Sequence, residues 1–261
     1  MPWYLKEVLL LTMAFGVFCV ALEIGYRVGL RHQPRDDEPA KSHANSLHNA
    51  VLGLLALLLG FTFAMAVSRY ETRKTLMVDQ ANAIGTVAVR AKLLPPEQSA
   101  RASQLIAEYV QTRLDYNAST SGSATLDTAE ARAGAIETEL WALGNAAIKA
   151  DAHSQPASIY LQALNDVFDI REKRRFALTD QVPTAVVFLL YAVAVTSLSL
   201  VSYGCGLCGH RRLNANLTFA FLIAVVFIII LDIDRPRQGF VRVSQESLIR
   251  LQQSLQPAPT P

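Results

Sequence analysis

The chain has 261 residues, of which 51% are hydrophobic and only 18% are charged. Soluble domains average about 45–50% apolar and about 25% charged residues, so this composition favours a membrane protein. It excludes a disordered or collagen-like chain. Three cysteines are too few to staple a disulfide scaffold, and a formal net charge of +2 gives no reason to expect a nucleic-acid partner.

Four segments are long and apolar enough to cross a bilayer, which takes about 20 mostly apolar residues. They cover residues 8–30, 50–67, 182–203 and 213–231, and they predict an all-α protein with four transmembrane helices. Near the end of the first span, Glu23 precedes Arg27 by four residues, an order that favours an ion pair on one helix face. That span lacks the basic start and small-residue cleavage site of a signal peptide, so we expect it to be retained.

An even number of spans places both chain ends and the long middle segment on the same side of the membrane. Lys and Arg residues near the span ends are more numerous on that side, which predicts that it is cytoplasmic. The predicted organisation is therefore residues 1–68 with two spans and a short outer loop, a helical cytoplasmic domain over 69–180, two further spans in 181–233, and a cytoplasmic C-terminal segment over 234–261.

The middle segment shows helical periodicity throughout. The second span is expected to continue as one helix toward Leu93, where Pro95 and Pro96 end it. Further helices are predicted over 97–116, from a cap near Asp127, and after a break at residues 154–156. Pro236 and Gly239 should end the fourth span, followed by an amphipathic helix over 244–255 and a disordered tail over 257–261.

The second span offers the best candidate for a pore-lining helix. Gly53, Leu57 and Phe61 recur every fourth residue, and Phe63 is close to them. An apolar row of this kind is also the ordinary pattern of a packing face, so the spacing alone leaves both interpretations open.

Charged and polar residues follow the second and fourth spans and form a candidate cytoplasmic mouth or interface. Asp232 and Asp234 at the end of a span are costly unless they are hydrated or paired. One interpretation is an electrostatic cap, in which they pair with Arg235, Arg69 or Arg73. The other is a cation or regulatory site at a pore mouth. The full candidate set comprises Arg69, Tyr70, Glu71, Arg73, Asn82, Asp232, Asp234 and Arg235.

The other motifs give little support for a metal-binding or catalytic site. Cys205, Cys208 and His210 lie close together, but a zinc site needs about four ligands and no second ligand pair is present, so a turn or a local disulfide is the simpler expectation. No nucleophile elbow, P-loop, HExxH or glycine-rich fingerprint occurs. We therefore expect no enzyme, no catalytic residue, no metal site and no cofactor.

Three motifs resemble a known family. Residues 59–74, which read LGFTFAMAVSRYETRK, resemble the second helix of bestrophins. The bacterial bestrophin-like family is closer still, with similarity in SRYE at residues 68–71, DQANAIGT at residues 79–86, and DIDRP followed by Gly239. The resemblance to the bestrophin-like family covers nearly the whole chain.

The resemblance implies a homo-oligomeric, pentameric ion channel in a bacterial inner membrane, mostly conducting anions, with the second helices around the pore. Phe61, Leu57 and Gly53 take the neck positions, and Gly53 departs from the bulky residue expected there. The acidic calcium-binding stretch of the family is not reproduced. Arg69, Arg73 and Lys74 follow the neck and would favour anions. The implied partners are the lipid bilayer, small ions and further copies of the chain.

Two rivals remain open beside the channel. One is a non-conducting membrane scaffold or sensor whose cytoplasmic helices bind a partner. The other is an ion-driven stator-like unit, which would need a carboxylate within a span, and Glu23 near a membrane edge is its only candidate.

Overall fold

Helices account for all the regular structure that the computed structural model describes, over residues 3–32, 38–119, 124–236 and 239–256. In chain order they are α1 (Trp3–Arg31), α2 (Glu38–Ala91), α3 (Pro96–Ala118), α4 (Ala124–Ala150), α5 (Gln155–Thr179), α6 (Thr184–Leu207), α7 (Leu213–Asp234) and α8 (Glu246–Leu255). Four helical stretches are long and apolar enough to span a membrane, namely Glu7–Arg31, Ser46–Ala91, Gln155–Leu207 and Leu213–Asp234. The predicted four-span, all-α fold is confirmed.

The described residues divide into two compact units. The first unit contains residues 3–32, 38–68, 181–235 and 239–241. The second unit contains residues 69–119, 124–180, 236 and 242–256.

In the first unit, α1 and α6 approach each other so closely that backbone meets backbone. A Cβ atom added at Gly25 would lie 2.1 Å from the carbonyl oxygen of Ser199, and one at Gly29 would lie 2.3 Å from that of Tyr203. Small residues allow this approach, and in lipid it supplies packing that the hydrophobic effect does not. Beside this contact, the rings of Phe18 and Tyr191 lie 5.5 Å apart in a buried apolar cluster.

The end of the first unit that contains Glu23 and Arg211 holds an ion-pair cluster. Arg27 donates to Glu23 Oε1 at 2.7 Å, as the spacing predicted. Arg211 donates to Glu23 Oε2 at 2.7 Å and also lies over the Tyr26 ring, 5.3 Å from its centroid. Glu23 is therefore already satisfied by two guanidinium groups.

The second unit builds its core from the second half of α2 together with α3, α4, α5 and α8. Its largest fully buried aliphatic side chains come from all five helices and are Ile84, Leu105, Ile106, Ile136, Leu164 and Leu248. The apolar rows that predicted these helices are their packing faces.

Several helix ends differ from the sequence expectations. The second helix starts at Glu38, twelve residues before the predicted span, since a polar helical segment carries no apolar period to reveal it. α4 begins at Ala124, so Asp127 lies in its first turn. Ser154 caps α5 by accepting the N–H of Ala157 at 3.5 Å. The predicted disordered tail, 257–261, lies outside the described residues.

The carboxylate of Glu137 is buried in the core of the second unit. Glu137 accepts hydrogen bonds from the Tyr109 hydroxyl at 2.7 Å and from Arg171 Nη1 at 2.5 Å. Burial raises the pKa of Glu137, although the two donors and the Arg113 charge act in the opposite direction. The same burial and the nearby carboxylate raise the pKa of Tyr109.

The raised pKa of Glu137 predicts a specific pH dependence of stability. The folded state holds this proton more tightly than the unfolded chain, whose glutamate pKa is about 4.3. The stability that the proton contributes is therefore complete below about pH 4.3 and is lost as the pH rises through the folded pKa. In thermal unfolding in detergent, the unfolding temperature of wild type should therefore fall relative to that of Glu137→Gln as the pH is raised.

Glu139→Gln is the matched control, because Glu139 pairs with Arg101 at 2.7 Å on the surface. Its difference from wild type should not follow that trend. A Glu137→Gln difference that is constant, or that grows in favour of wild type with pH, would contradict the raised pKa.

Candidate functional site

The membrane-spanning half of α2 presents large apolar side chains at its surface. Leu57 is 54% exposed and Phe61 is 65% exposed, one turn apart, and Gly53 is exposed one turn before Leu57. Phe63 is also exposed. It lies on another side of the helix from Phe61, because two residues turn an α-helix by about 200°. Gly53, Leu57 and Phe61 therefore share one exposed face, and Phe63 does not.

The two arginines that follow this helix half are turned inward within the second unit. Arg69 Nε donates to Asp180 Oδ2 at 3.0 Å, across 111 residues of sequence. Arg73 is only 4% exposed. Tyr70 is half-buried, while Glu71 and Asn82 are exposed.

Asp232 organises the turn that follows α7. Its carboxylate accepts the backbone N–H of Phe240 at 2.9 and 3.0 Å and that of Val241 at 3.0 Å. Gly239 has a φ of +124°, and a Cβ atom there would lie 2.0 Å from Asp232 Oδ1. Only glycine adopts this backbone conformation without strain beside such a close carboxylate. The DIDRP-x-x-G motif therefore builds a carboxylate-capped turn.

Two more contacts link this motif to distant parts of the first unit. Asp234 Oδ2 accepts the backbone N–H of Val182 at 2.9 Å, just before α6. Arg235 Nη1 donates to Glu7 Oε1 at 3.1 Å, and Glu7 is buried. Asp232 and Asp234 thus hold backbone amides, which is a structural role beyond either sequence interpretation.

Sequence reasoning missed three partners at these positions. They are Glu7 as the partner of Arg235, Asp180 as the partner of Arg69, and the backbone amides of Phe240 and Val241 as the partners of Asp232. A glycine seven residues after an aspartate was the one signal in the sequence that pointed to the capped turn.

The cysteine motif contributes no assembled metal site in the described part of the chain. Cys19, Cys205 and Cys208 are free thiols. Cys205 accepts from Asn216 Nδ2 at 3.8 Å, and His210 Nδ1 lies 2.8 Å from the Cys208 carbonyl oxygen. No cluster of three or more His, Cys, Asp or Glu residues that would hold a metal occurs among the described residues.

Comparison with solved structures finds the same fold in bacterial bestrophin homologues. A tyrosine-to-alanine variant of the homologue from Klebsiella pneumoniae matches with a TM-score of 0.66 and 14% identity, over 96% of this chain and 97% of that one. A tryptophan-to-alanine variant matches with a TM-score of 0.68 and 13% identity, over 98% and 97%. A third structure of the homologue gives 0.64 and 15%, over 95% and 96%.

The sequence comparisons agree with this fold. No curated protein matches the chain. The family model of the bestrophin-like domain matches residues 13–248, which is most of the chain. The matched range covers the last three apolar spans, most of the first, the exposed face of α2 and the capped turn after α7. The chain therefore belongs to the bestrophin-like family of membrane proteins.

Proposed function

We propose that the protein is an oligomeric ion channel whose pore is lined by the exposed face of α2. The observation that carries this proposal is the exposure of Leu57 and Phe61, large apolar side chains one turn apart on a single face. A ring of such side chains, one from each copy, forms a hydrophobic constriction that gates by dewetting. Membership of the bestrophin-like family supports the same arrangement.

The finer features of the proposal come from the family resemblance and from the charge distribution. They are a ring of five copies, an inner-membrane location with both chain ends and residues 69–180 in the cytoplasm, and passage of anions. Gly53 leaves one turn of the neck without a side chain, so Leu57 and Phe61 alone would form the constriction.

Recording from purified protein in planar bilayers tests the channel. Wild type should conduct, and Phe61→Ala should raise the conductance or open probability several-fold, because the smaller side chain removes an apolar barrier. Phe188→Ala is the matched control, since Phe188 is 74% exposed on α6 and should leave the current unchanged. Absence of current from wild type, or equal effects of both substitutions, would contradict an α2-lined pore.

One observation favours the rival scaffold or sensor. The second unit contains an open groove of about 1260 Å³ between α2, α3 and α8, lined by apolar residues such as Val78, Val89 and Leu255 together with Lys74 and Lys92. Mass measurement in detergent separates the two functions. A closed ring, especially of five copies, supports the channel, and a monomer or dimer supports the scaffold.

A further inference from the structure

A cavity of about 180 Å³ lies within the first unit, between α1, α6 and α7. Its volume corresponds to roughly six water molecules at about 30 Å³ each. Pockets that hold a whole drug-sized molecule measure about 300–1,000 Å³, so this cavity fits a small ion or the polar group of a larger molecule. The polar side chains that line it are Glu23, Tyr26, Ser202, Arg211 and Asn216.

The cavity lies close to the ends of three membrane-spanning helices. Tyr26 is five residues before the end of α1, Ser202 is five residues before the end of α6, and Asn216 is three residues after the start of α7. At 1.5 Å per residue, these positions are within about 8 Å of the helix ends. The hydrocarbon core of a bilayer is about 30 Å thick, and the two headgroup layers extend it to about 40–45 Å. The polar part of the cavity therefore lies at the depth of the lipid headgroups.

The ion pairs at this cavity leave a surplus of positive charge. Arg27 and Arg211 each pair with Glu23 at 2.7 Å, so two guanidinium groups share one carboxylate. Arg211 donates Nη2 to that carboxylate and lies over the Tyr26 ring, and both contacts fix its position. A guanidinium carries five N–H donors, so Arg211 keeps donors for an anion in the cavity.

One wall of the cavity carries a buried hydroxyl group. Ser202 is 3% exposed, and its Oγ makes no hydrogen bond to any residue that the structure describes. By contrast, Ser197 on the same helix is also buried and donates to the carbonyl oxygen of Val193 at 2.8 Å. Because a buried hydroxyl without a hydrogen bond is costly, Ser202 is expected to donate to a group that occupies the cavity.

The cavity becomes apolar deeper in the span. Cys19 and Leu22 line it there, twelve and nine residues before the end of α1, which is about 18 and 14 Å from that end. Val20 and Ile24, on the neighbouring surface of α1, are exposed apolar side chains. The order from polar to apolar is the same as that from the phosphate to the acyl chains of a phospholipid.

We propose that this cavity binds the phosphate group of a membrane phospholipid, with Arg211 and Ser202 as its hydrogen-bond donors. A phosphodiester matches the surplus positive charge, and its oxygens accept from guanidinium and hydroxyl groups. Basic pockets between membrane helices are suited to lipid headgroups, and the attached acyl chains would continue along the apolar surface of α1. Lipid binding at this cavity goes beyond the proposed channel and does not depend on it.

Native mass spectrometry of the full-length protein in detergent tests the site. Phosphatidylglycerol should bind at one lipid per chain, and about tenfold or more tightly than diacylglycerol with the same acyl chains. Tenfold is the affinity that corresponds to one hydrogen bond with a charged group. Millimolar inorganic phosphate should not displace the lipid, because free phosphate lacks the acyl-chain contacts.

Two substitutions test the proposed donors. Arg211→Gln should weaken phosphatidylglycerol binding about tenfold, whereas Arg212→Gln removes the same charge from the exposed neighbouring position and should leave binding unchanged. Ser202→Ala should weaken binding several-fold without lowering the unfolding temperature, because it breaks no described hydrogen bond. Ser197→Ala is its matched control, since Ser197 lies outside the cavity lining and should not affect lipid binding.

Equal binding of phosphatidylglycerol to Arg211→Gln and Arg212→Gln would overturn the proposal, and so would equal affinities for phosphatidylglycerol and diacylglycerol. Displacement of the lipid by millimolar inorganic phosphate would assign the cavity to a free anion and would overturn it as well. If Arg211→Gln does not fold, Ser202→Ala compared with Ser197→Ala decides the question. None of these results requires a current through the protein, so the channel stands or falls separately.

Discussion

Replacing Gly25 by valine should prevent α1 from packing on α6. Even the Cβ atom would lie 2.1 Å from the Ser199 carbonyl oxygen and 2.8 Å from its carbonyl carbon. The obstacle is backbone, which has no rotamer by which to move aside, so the helices must separate along their whole contact. We expect a loss of about 3 kcal/mol or more, at the upper end of overpacking effects. Thermal unfolding in detergent and the yield of folded protein measure this loss.

Gly16→Val is the control on the same helix, since nothing lies within 4 Å of a Cβ atom at Gly16. It introduces the same side chain into the same apolar segment and should leave the unfolding temperature within a few degrees of wild type. Comparable destabilisation by both substitutions would show that side-chain bulk or helix propensity, rather than the close α1–α6 contact, is responsible.

The turn after α7 should be almost as sensitive. Gly239→Ala places a methyl group 2.0 Å from Asp232 Oδ1 at a φ of +124°, a backbone conformation that residues with a side chain rarely adopt. Asp232→Ala removes the acceptor of the Phe240 and Val241 amides. Each change should lower the free energy of unfolding by about 2–4 kcal/mol. Gly239→Ala leaves backbone strain in the folded state, and Asp232→Ala leaves unsatisfied N–H groups there.

A double variant tests whether Gly239→Ala destabilises the turn through its contact with the Asp232 carboxylate or through backbone strain alone. If Gly239→Ala acts by expelling the Asp232 carboxylate, then Gly239→Ala combined with Asp232→Ala should cost less than the sum of the two single losses. Gly134→Ala is the control, because a Cβ atom there meets nothing within 4 Å. Full additivity in the double variant would contradict a direct contact between the carboxylate and position 239.

The membrane spans were predictable because the apolar composition that marks them is a property of each segment by itself. A helix must be apolar along its whole length to lie in lipid, so residues 50–67 or 213–231 reveal themselves without knowledge of any partner. The end of α2 was predictable for the same reason, because its signal lies in the neighbouring sequence. Pro95 and Pro96 prevent the helix from continuing, and the structure ends it at Ala91. The start of α2 at Glu38 escaped prediction because its polar residues show no apolar period.

The partners of the charged residues were not predictable from local pattern. Arg69 meets Asp180 over 111 residues, and Arg235 meets Glu7 over 228 residues. Arg69, Arg73 and Lys74 lie within six residues of sequence and suggested a basic pore mouth. In the fold, the buried face of α2 takes Arg73 inward, while Asp79 stays on the exposed face.

The amino-acid sequence by itself determined that the chain is helical, crosses a membrane four times and resembles the bestrophin-like family. These conclusions depend on composition, period and short motifs, each of which acts over one helix. Only the tertiary structure decided which face of α2 is buried, that Asp232 caps a turn, and that Gly25 and Gly29 join α1 to α6. Those outcomes depend on which backbones meet in three dimensions. An apolar period marks the packing face of a helix, but it does not say which other helix that face meets.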